Sequence, residues 1–233
     1  MDSGIQNIIA GISSGDNTQR QAMEQTMKEK RAANGQELLT HLTQFVLEKG
    51  SVEGPDQEQA TLAALLLKKQ FLDDRKEEEG LWQVNKDQIA ELKTTMSQSL
   101  NFKVQSKQLL KRKADLICKC YRKLESYDEM ISGLKALFEI TDGAEDENMK
   151  RKVFGLYNFE ILSEYHLEDS SMLLQHFPSA VLQDSNNQVK VAGLKAISAI
   201  LSSIDDEDVV LKYKGEMEGI LNVVIDVLKN DET

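Results

Sequence analysis

One short stretch near the start of the chain matches a pattern used in covalent catalysis. The sequence GISSG at residues 11–15 fits G-x-S-x-G, which in hydrolases holds a nucleophilic serine on a turn between a strand and a helix. The isoleucines of residues 5–12 recur every three or four positions, which is the spacing of a helix. We therefore expect Ser13 to lie at a helix end rather than to act as a catalyst. Asp16 or Asn17 is expected to cap the next helix.

Cysteines and histidines are the other side chains suited to chemistry. Cys118 and Cys120 are two residues apart, so on a helix they point about 200° from each other and cannot form a metal clip or a C-x-x-C redox pair. We expect free thiols in a reducing compartment. His41, His166 and His176 lie in separate segments with no sign of convergence, and the sequence contains no P-loop. The sequence predicts no catalytic residue, no metal site, no cofactor and no enzymatic activity.

Composition narrows the class of partner. The 233 residues include 28 Lys and Arg against 39 Asp and Glu, a net charge of −11. This charge disfavours nucleic acid as a partner, because phosphates require a cationic surface, and it permits basic protein partners. No signal peptide and no run of about 18 apolar residues is present, so we expect a soluble intracellular protein without membrane insertion.

A helical stripe of apolar residues recurs along the chain. Apolar residues at positions 0, +1, +4, +7 and +8 form one face of a helix. The stripe begins at Leu38, Met130, Leu173 and Ile220, spaced by 92, 43 and 47 residues, and the first interval is twice 46. A weaker stripe at residues 89–100 fills that gap, and a truncated one lies at residues 8–12.

Second helices lie between these stripes, and Asp56, Asp146 and Asp184 are expected to cap three of them. A unit of about 40–47 residues made of two helices is the HEAT or armadillo period. An armadillo repeat needs a third helix, for which no residues remain, and an ordinary helical bundle is the other alternative. The sequence predicts an all-α protein, a right-handed α-solenoid of HEAT repeats over residues 1–233, with about five full helix pairs plus one extra helix.

The N-terminal part of the sequence resembles the importin-β (karyopherin-β) family. The similarity rests on Asp16-Asn17, Arg20, the Ala-Glu pattern at residues 21–24 with a Met inserted, a Leu-rich helix at residues 37–47, Ala-Ala-x-Leu-Leu-Lys-Lys at residues 63–69, and Trp82. Farther along, Asp184, Val189-Lys190 and Ala192 resemble the second-helix pattern of HEAT repeats. The layout of this later segment is similar to the importin beta-3 branch.

The resemblance implies a nuclear transport receptor. Such receptors bind the GTP form of Ran, FG-repeat nucleoporins and, here, basic protein cargo, in the cytoplasm and nucleus including the nuclear pore and envelope. It places Ran on a region of about residues 1–125, with further HEAT repeats over residues 126–233. Because the family has many more repeats, we expect an N-terminal fragment or a truncated product. The alternative is a HEAT scaffold of another kind, such as a phosphatase scaffold or assembly platform, and Ran-GTP binding separates the two.

Ran-binding candidates are predicted on the free faces of the second helices. These faces are expected to hold Gln21, Gln25 and Lys28; then Gln57, Thr61 and Lys68; and then Arg112, Asp115, Lys119 and Arg122. From them the prediction takes Gln21, Lys28, Lys68, Arg112 and Lys119. The basic run at residues 103–123 has a second interpretation, as a surface that contacts phosphates or an acidic partner. The acidic turns at residues 73–79, 142–147 and 205–208 are candidates for attracting basic cargo.

Overall fold

A computed structural model describes residues 3–73, 82–140, 142–165 and 171–204, together with isolated positions between 215 and 225. All regular secondary structure in those ranges is helical. The chain divides into two compact units, Met1–Glu125 and Ser126–Thr233. We call them unit 1 and unit 2.

Unit 1 is built from helices packed on their neighbours in sequence. It contains α1 (Ser3–Ile12), α2 (Asn17–Gly50), α3 (Asp56–Leu67), α4 (Lys86–Gln98) and α5 (Lys107–Leu124), and α3 continues as a π-helical turn, Lys68–Leu72. Helix α2 packs against α1 and α3, and α5 packs against α3 and α4. This arrangement buries the apolar stripes between successive helices, as stacked repeats require.

The GISSG stretch forms the corner between α1 and α2. The Ser13 hydroxyl donates to the carbonyls of Ile9 and Ala10, both at 2.9 Å. Asp16 is the N-cap of α2, and its carboxylate accepts from the backbone N–H of Thr18 at 2.8 Å. The predicted helix end and cap are therefore confirmed, and the Ser13 hydroxyl completes the last turn of α1.

Helix α2 is two helices joined at a kink. Asn34 has non-helical dihedral angles (φ −153°, ψ 76°), and its side-chain oxygen accepts from the backbone N–H of Glu37 at 3.3 Å, as an N-cap does. At Gly35 the ring of Trp82 lies so close that an added Cβ would be 2.6 Å from it. The Arg31 guanidinium donates to the Trp82 carbonyl at 3.1 Å. The first half of α2 thus belongs to one helix pair and the second half to the next.

The recurring stripe forms much of the core that the structure describes, although Ala180 and Leu221, which belong to two of its copies, are exposed. All five residues of the copy that begins at Leu38 are 8% exposed or less. In the copy that begins at Met130, the first three residues are buried and the last two half-buried. Ile89, Leu92 and Met96 of the weaker stripe are buried on α4. Most of the copy that begins at Ile220 lies outside the described residues.

Unit 2 repeats the helix-pair arrangement. It contains α6 (Tyr127–Glu139), α7 (Glu145–Ser163), α8 (Ser171–His176), a 3-10 helix (Ser179–Gln183) and α9 (Asn187–Ser202), with α7 packed against α6 and α9. The stripe that begins at Leu173 predicted one continuous helix, which was wrong. Pro178 has no backbone N–H, so α8 ends before it and Val181 reaches the core from the 3-10 helix.

The predicted caps of three second helices were also wrong. Asp56 and Asp146 lie inside the first turns of α3 and α7 and pair with Lys49 and Lys150, each at 2.8 Å. Asp184 precedes the true cap of α9, Asn186, and accepts from its backbone N–H at 2.9 Å. Carboxylates in a first helical turn are favoured by the helix dipole as well, so the acidic residue alone did not identify the capping position.

Five helix pairs lie within the described ranges. They are α1 with the first half of α2, the second half of α2 with α3, α4 with α5, α6 with α7, and α8 and the 3-10 helix with α9. Within each range the linking turns are short, which is typical of helix pairs in a repeat protein. The predicted extra helix falls mostly on residues outside the description, as do His166 and most of the acidic turns at residues 73–79 and 205–208.

Candidate functional site

Helix α5 has a strongly positively charged surface. Its 18 residues include seven Lys and Arg and one Asp, in a chain whose net charge is −11. Six of the seven cations fall within an arc of about 160° on a helix of 3.6 residues per turn. We call these six the basic face: Lys107, Lys111, Arg112, Lys119, Arg122 and Lys123. Asp115 lies at the centre of the same arc.

Asp115 brings a cation from α3 to the basic face. The Lys68 ammonium contacts one Asp115 carboxylate oxygen at 2.7 Å, and Arg112 reaches the other at 4.0 Å. Asp115 is only 9% exposed. Lys68 is the first residue of the π-helical turn that ends α3. The structure therefore brings two predicted candidates, Lys68 and Arg112, together around a carboxylate that joins α3 to α5.

Two residues expected on the free face of α5 are buried instead. Asp115 and Lys119 are 9% and 6% exposed. Gln57, expected on the free face of α3, is 5% exposed. The expectation assumed one covered stripe per helix, whereas α5 packs against both α3 and α4, so the strip left to solvent is narrower. Lysine is suited to such a position because its long apolar stem packs while its ammonium finds polar partners.

Gln21 and Lys28 occupy a separate part of unit 1. Both are exposed on the first half of α2, as predicted, and they are seven residues apart, so they share one face of that helix. Nearby, Arg31 lies over the Phe71 ring at 5.4 Å, and Phe71 meets Trp82 edge-on at 6.0 Å. These contacts attach the end of the first half of α2 to the end of α3.

Lys113 is the one cation of α5 outside the basic face. It is fully buried, and its ammonium donates to the carbonyl and the hydroxyl of Ser99 at 2.9 and 2.8 Å. Ser99 ends α4, where free carbonyls favour a positive charge. Burial lowers the pKa of Lys113 to about 8. Sequence reasoning missed this contact, although the helical angle of Lys113 placed it among core residues.

Two buried glutamines join neighbouring turns of unit 1. The Gln57 carboxamide donates to the carbonyls of Val52 and Val104 at 2.9 and 3.0 Å and accepts from the backbone N–H of Ser106 at 2.6 Å. Gln105 donates to the Gly50 carbonyl at 3.3 Å. These bonds satisfy backbone groups of the turns that precede α3 and α5. The position of Gln57 next to a turn was the sequence signal that its assignment to the free face overlooked.

Neither cysteine is available for chemistry in the folded chain. Cys118 and Cys120 are fully buried, and neither forms a disulfide. Burial raises the pKa of Cys120 to about 12, and burial together with the Asp115 carboxylate raises the pKa of Cys118 as well. Among the described residues no group of three or more His, Cys, Asp or Glu side chains is placed to hold a metal ion. What unit 1 offers is a structured charged surface.

Comparison with known proteins supplies a likeness of fold. No protein-family model matches the sequence. No curated protein matches it either. A crystal structure of Kap121p matches 99% of this chain and 21% of its own length, at 16% identity and a TM-score of 0.68. Kap121p bound to RanGTP matches 97% of the chain and 19% of its own length, at 16% identity and a TM-score of 0.70.

A third structure extends the likeness. The karyopherin Kap121p bound to the SUMO protease Ulp1p matches 97% of this chain and 20% of its own length, at 16% identity and a TM-score of 0.64. The predicted all-α, HEAT-repeat solenoid fold is confirmed by these matches, and the resemblance to the importin-β family is confirmed at the level of fold. The importin beta-3 branch stays a prediction. The chain spans about a fifth of the length of the structures that it matches.

None of the described helices is long and apolar enough to cross a bilayer.

Proposed function

We propose that this chain acts as a nuclear transport receptor of the importin-β type and binds the GTP form of Ran through unit 1. The observation that carries the proposal is the match of 97% of the chain to Kap121p bound to RanGTP, at a TM-score of 0.70. A likeness of fold at 16% identity does not transfer a partner by itself. The basic face of α5 adds a surface suited to an acidic protein partner.

The candidates differ in how they would contribute to such a surface. Gln21 and Lys28 are exposed on the first half of α2, where a partner can reach them. The Arg112 side chain is 40% exposed at the edge of the basic face. Lys68 and Lys119 are more covered, with the Lys68 side chain 26% exposed and Lys119 6% exposed. We therefore assign direct contact to Gln21, Lys28 and Arg112, contact through its ammonium alone to Lys68, and a supporting role to Lys119.

The proposal extends to the other partners of a transport receptor. FG-repeat nucleoporins and basic protein cargo are proposed partners, with the acidic residues at the start of α7 as one surface suited to basic cargo. Residence in the cytoplasm and nucleus, including the nuclear pore and envelope, follows from that role. We propose a binding protein and not an enzyme, since the Ser13 hydroxyl and both thiols are engaged or buried.

Binding to Ran locked in its two nucleotide states tests the proposal. The purified chain is expected to bind Ran loaded with a GTP analogue and to bind Ran-GDP far more weakly, as measured by biolayer interferometry. Equal binding to both forms, or to neither, would contradict the proposal and favour a HEAT scaffold of another kind.

Charge reversal locates the surface. Lys28→Glu and Arg112→Glu are each expected to weaken Ran-GTP binding by about five- to tenfold, because each places a carboxylate on a surface that meets an acidic partner. Lys135→Glu, an equal charge change at an exposed position on α6 of unit 2, is the matched control and is expected to change the affinity less than about twofold. Equal effects from all three variants would show that net charge, and not the proposed surface, governs binding.

A further inference from the structure

We propose that Asp115 is a positioning residue for binding an acidic protein surface: it holds Lys68, which directly follows α3, on the basic face of α5. The inference rests on the proposed function, whose site it deepens. An acidic residue at the centre of a basic face is unexpected, since by charge alone it repels the partner that the cations attract. Its contacts give it a different role.

The geometry of the ion pair supports this role. The Asp115 carboxylate is 2.7 Å from the Lys68 ammonium, and the Asp115 side chain is 12% exposed. Because the Asp115 carboxylate is so well covered, it influences a partner mainly through the cations that it holds in place. The Lys68 side chain is 26% exposed, so its ammonium remains within reach of a partner. A lysine fixed in this way loses less conformational freedom on binding than a solvated one.

The pair also joins two helix pairs. Lys68 belongs to the π-helical turn that follows α3, and Asp115 lies on the next second helix, α5, which packs against α3. In a repeat protein each repeat is held only by its neighbours, so a contact between second helices fixes the spacing of the cations they carry. Arg112, 4.0 Å from the other carboxylate oxygen, completes a group of three charges with a net charge of one positive.

Two physical effects predict opposite results for Asp115→Asn. By net charge alone, the substitution makes the surface more positive and strengthens binding to an acidic partner. By positioning, it releases Lys68 and weakens binding. We expect weakening by about three- to tenfold in the otherwise unchanged chain. In a Lys68→Met background no lysine remains to be positioned, so there Asp115→Asn is expected to leave the affinity unchanged or to increase it.

The experiment is a double-mutant cycle on the full chain. Affinities of wild type, Lys68→Met, Asp115→Asn and the double variant are measured for Ran-GTP and, separately, for a fluorescent peptide of twelve glutamates, at low and moderate salt. Asp56→Asn is the matched control, because Asp56 pairs with Lys49 at 2.8 Å in the same unit, apart from the basic face. The Asp56→Asn substitution is expected to leave the affinity for both probes unchanged or slightly higher.

Each outcome decides the inference. If Asp115→Asn weakens binding in the wild-type background but not in the Lys68→Met background, the positioning role is supported. Strengthening, as for Asp56→Asn, shows a simple charge effect, and equal weakening in both backgrounds shows a purely structural role; either result overturns the inference. Failure of Ran-GTP to bind, with the supporting pattern kept for the glutamate peptide, rejects the proposed function and retains the inference. Binding of neither probe to wild type overturns it.

A second variant covers the case in which Asp115→Asn does not fold. Replacing both members of a buried ion pair by apolar residues is often neutral for stability, so Lys68→Met with Asp115→Leu is expected to fold. Compared with Lys68→Met alone, this double variant should bind the acidic probes equally well or more tightly, with a similar dependence on salt. Weaker binding would show that Asp115 acts independently of Lys68 and would overturn the inference.

Discussion

Lys113 and Asp115 are two residues apart on α5, and both are buried for different reasons. Lys113 points toward the end of α4, where its ammonium donates to Ser99. Asp115 points toward the end of α3, where it accepts from Lys68. A charged group loses its hydration when it is buried, so each requires a polar partner in place. At the scale of single residues, one polar contact joins α5 to the end of α4 and another joins it to the end of α3, and neither can be predicted from the sequence of α5 itself.

The buried ammonium of Lys113 predicts a dependence of stability on pH. Its pKa is about 8 in the folded chain and 10.5 when unfolded. Between these values the unfolded state binds more protons, so the free energy of unfolding rises with pH through this window. The advantage is absent below pH 8, where both states carry the charge. We expect the difference in free energy of unfolding between wild type and Lys113→Met to shift in favour of wild type by about 2–3 kcal/mol between pH 7 and pH 10.

Urea unfolding of both proteins at several pH values measures that shift. The comparison removes the opposite contribution of the cysteines, whose raised folded-state pKa values lower stability as pH rises above 9. A difference between wild type and variant that stays constant with pH would show that the Lys113 ammonium is better hydrated than its burial indicates.

At the scale of elements, the kink in α2 depends on a glycine. Any side chain at Gly35 meets the Trp82 ring, whereas the space around Gly133 on α6 is open. The stripe that begins at Leu38 and the family resemblance predicted two helices here, and the resemblance also singled out Trp82. Neither predicted that the two helices follow each other without a loop. The contact that decides this point joins residues about 50 positions apart, beyond the reach of local patterns.

Gly35→Ala is expected to destabilise unit 1. The added Cβ forces Trp82 to move and weakens its contacts with Arg31 and Phe71, at a cost of about 1–3 kcal/mol in free energy of unfolding. Fluorescence measures the change directly, because Trp82 is the single tryptophan of the chain. Gly133→Ala is the control: alanine favours a helix, so a gain of about 0.5–1 kcal/mol is expected. A Gly35→Ala protein as stable as wild type would mean that the ring moves freely.

At the scale of the whole molecule, the repeating apolar stripe was sufficient to predict the fold class. The stripe is a consequence of packing each helix against its neighbours, so it appears in the sequence at the period of the repeat. The copy that begins at Leu173 shows where this reasoning fails, since Pro178 interrupts the helix and Ala180 is exposed, although the other four positions of the stripe stay buried. The candidate site was predicted less well, because exposure on α5 depends on two neighbouring helices, whereas the sequence pattern gives only one buried stripe.

Successive helix pairs in unit 1 are also held by polar contacts at their turns. Gln57→Leu removes three hydrogen bonds and leaves the Ser106 backbone N–H without its acceptor, so we expect a loss of about 2–4 kcal/mol in free energy of unfolding. Hydrogen exchange at the Ser106 amide should accelerate strongly, while amides within α7 of unit 2 change little, since coupling in repeats is local.

Gln98→Leu is the matched control for that variant. Gln98 is exposed at the end of α4, so the same substitution there is expected to change stability by less than about 0.5 kcal/mol. Unchanged exchange at Ser106 in Gln57→Leu would show that water replaces the glutamine, and that the turns are held by apolar packing alone.

The two buried thiols make the chain ready for site-specific labelling. Cys118 and Cys120 are sealed inside α5, and their raised pKa values keep them protonated at neutral pH, so maleimide reagents have no native target in the folded protein. A cysteine introduced at an exposed position in each unit, such as Gln25 and Ser132, would carry a dye without removal of any native residue. Energy transfer between the two dyes would then report how the separation of the units responds when a partner binds.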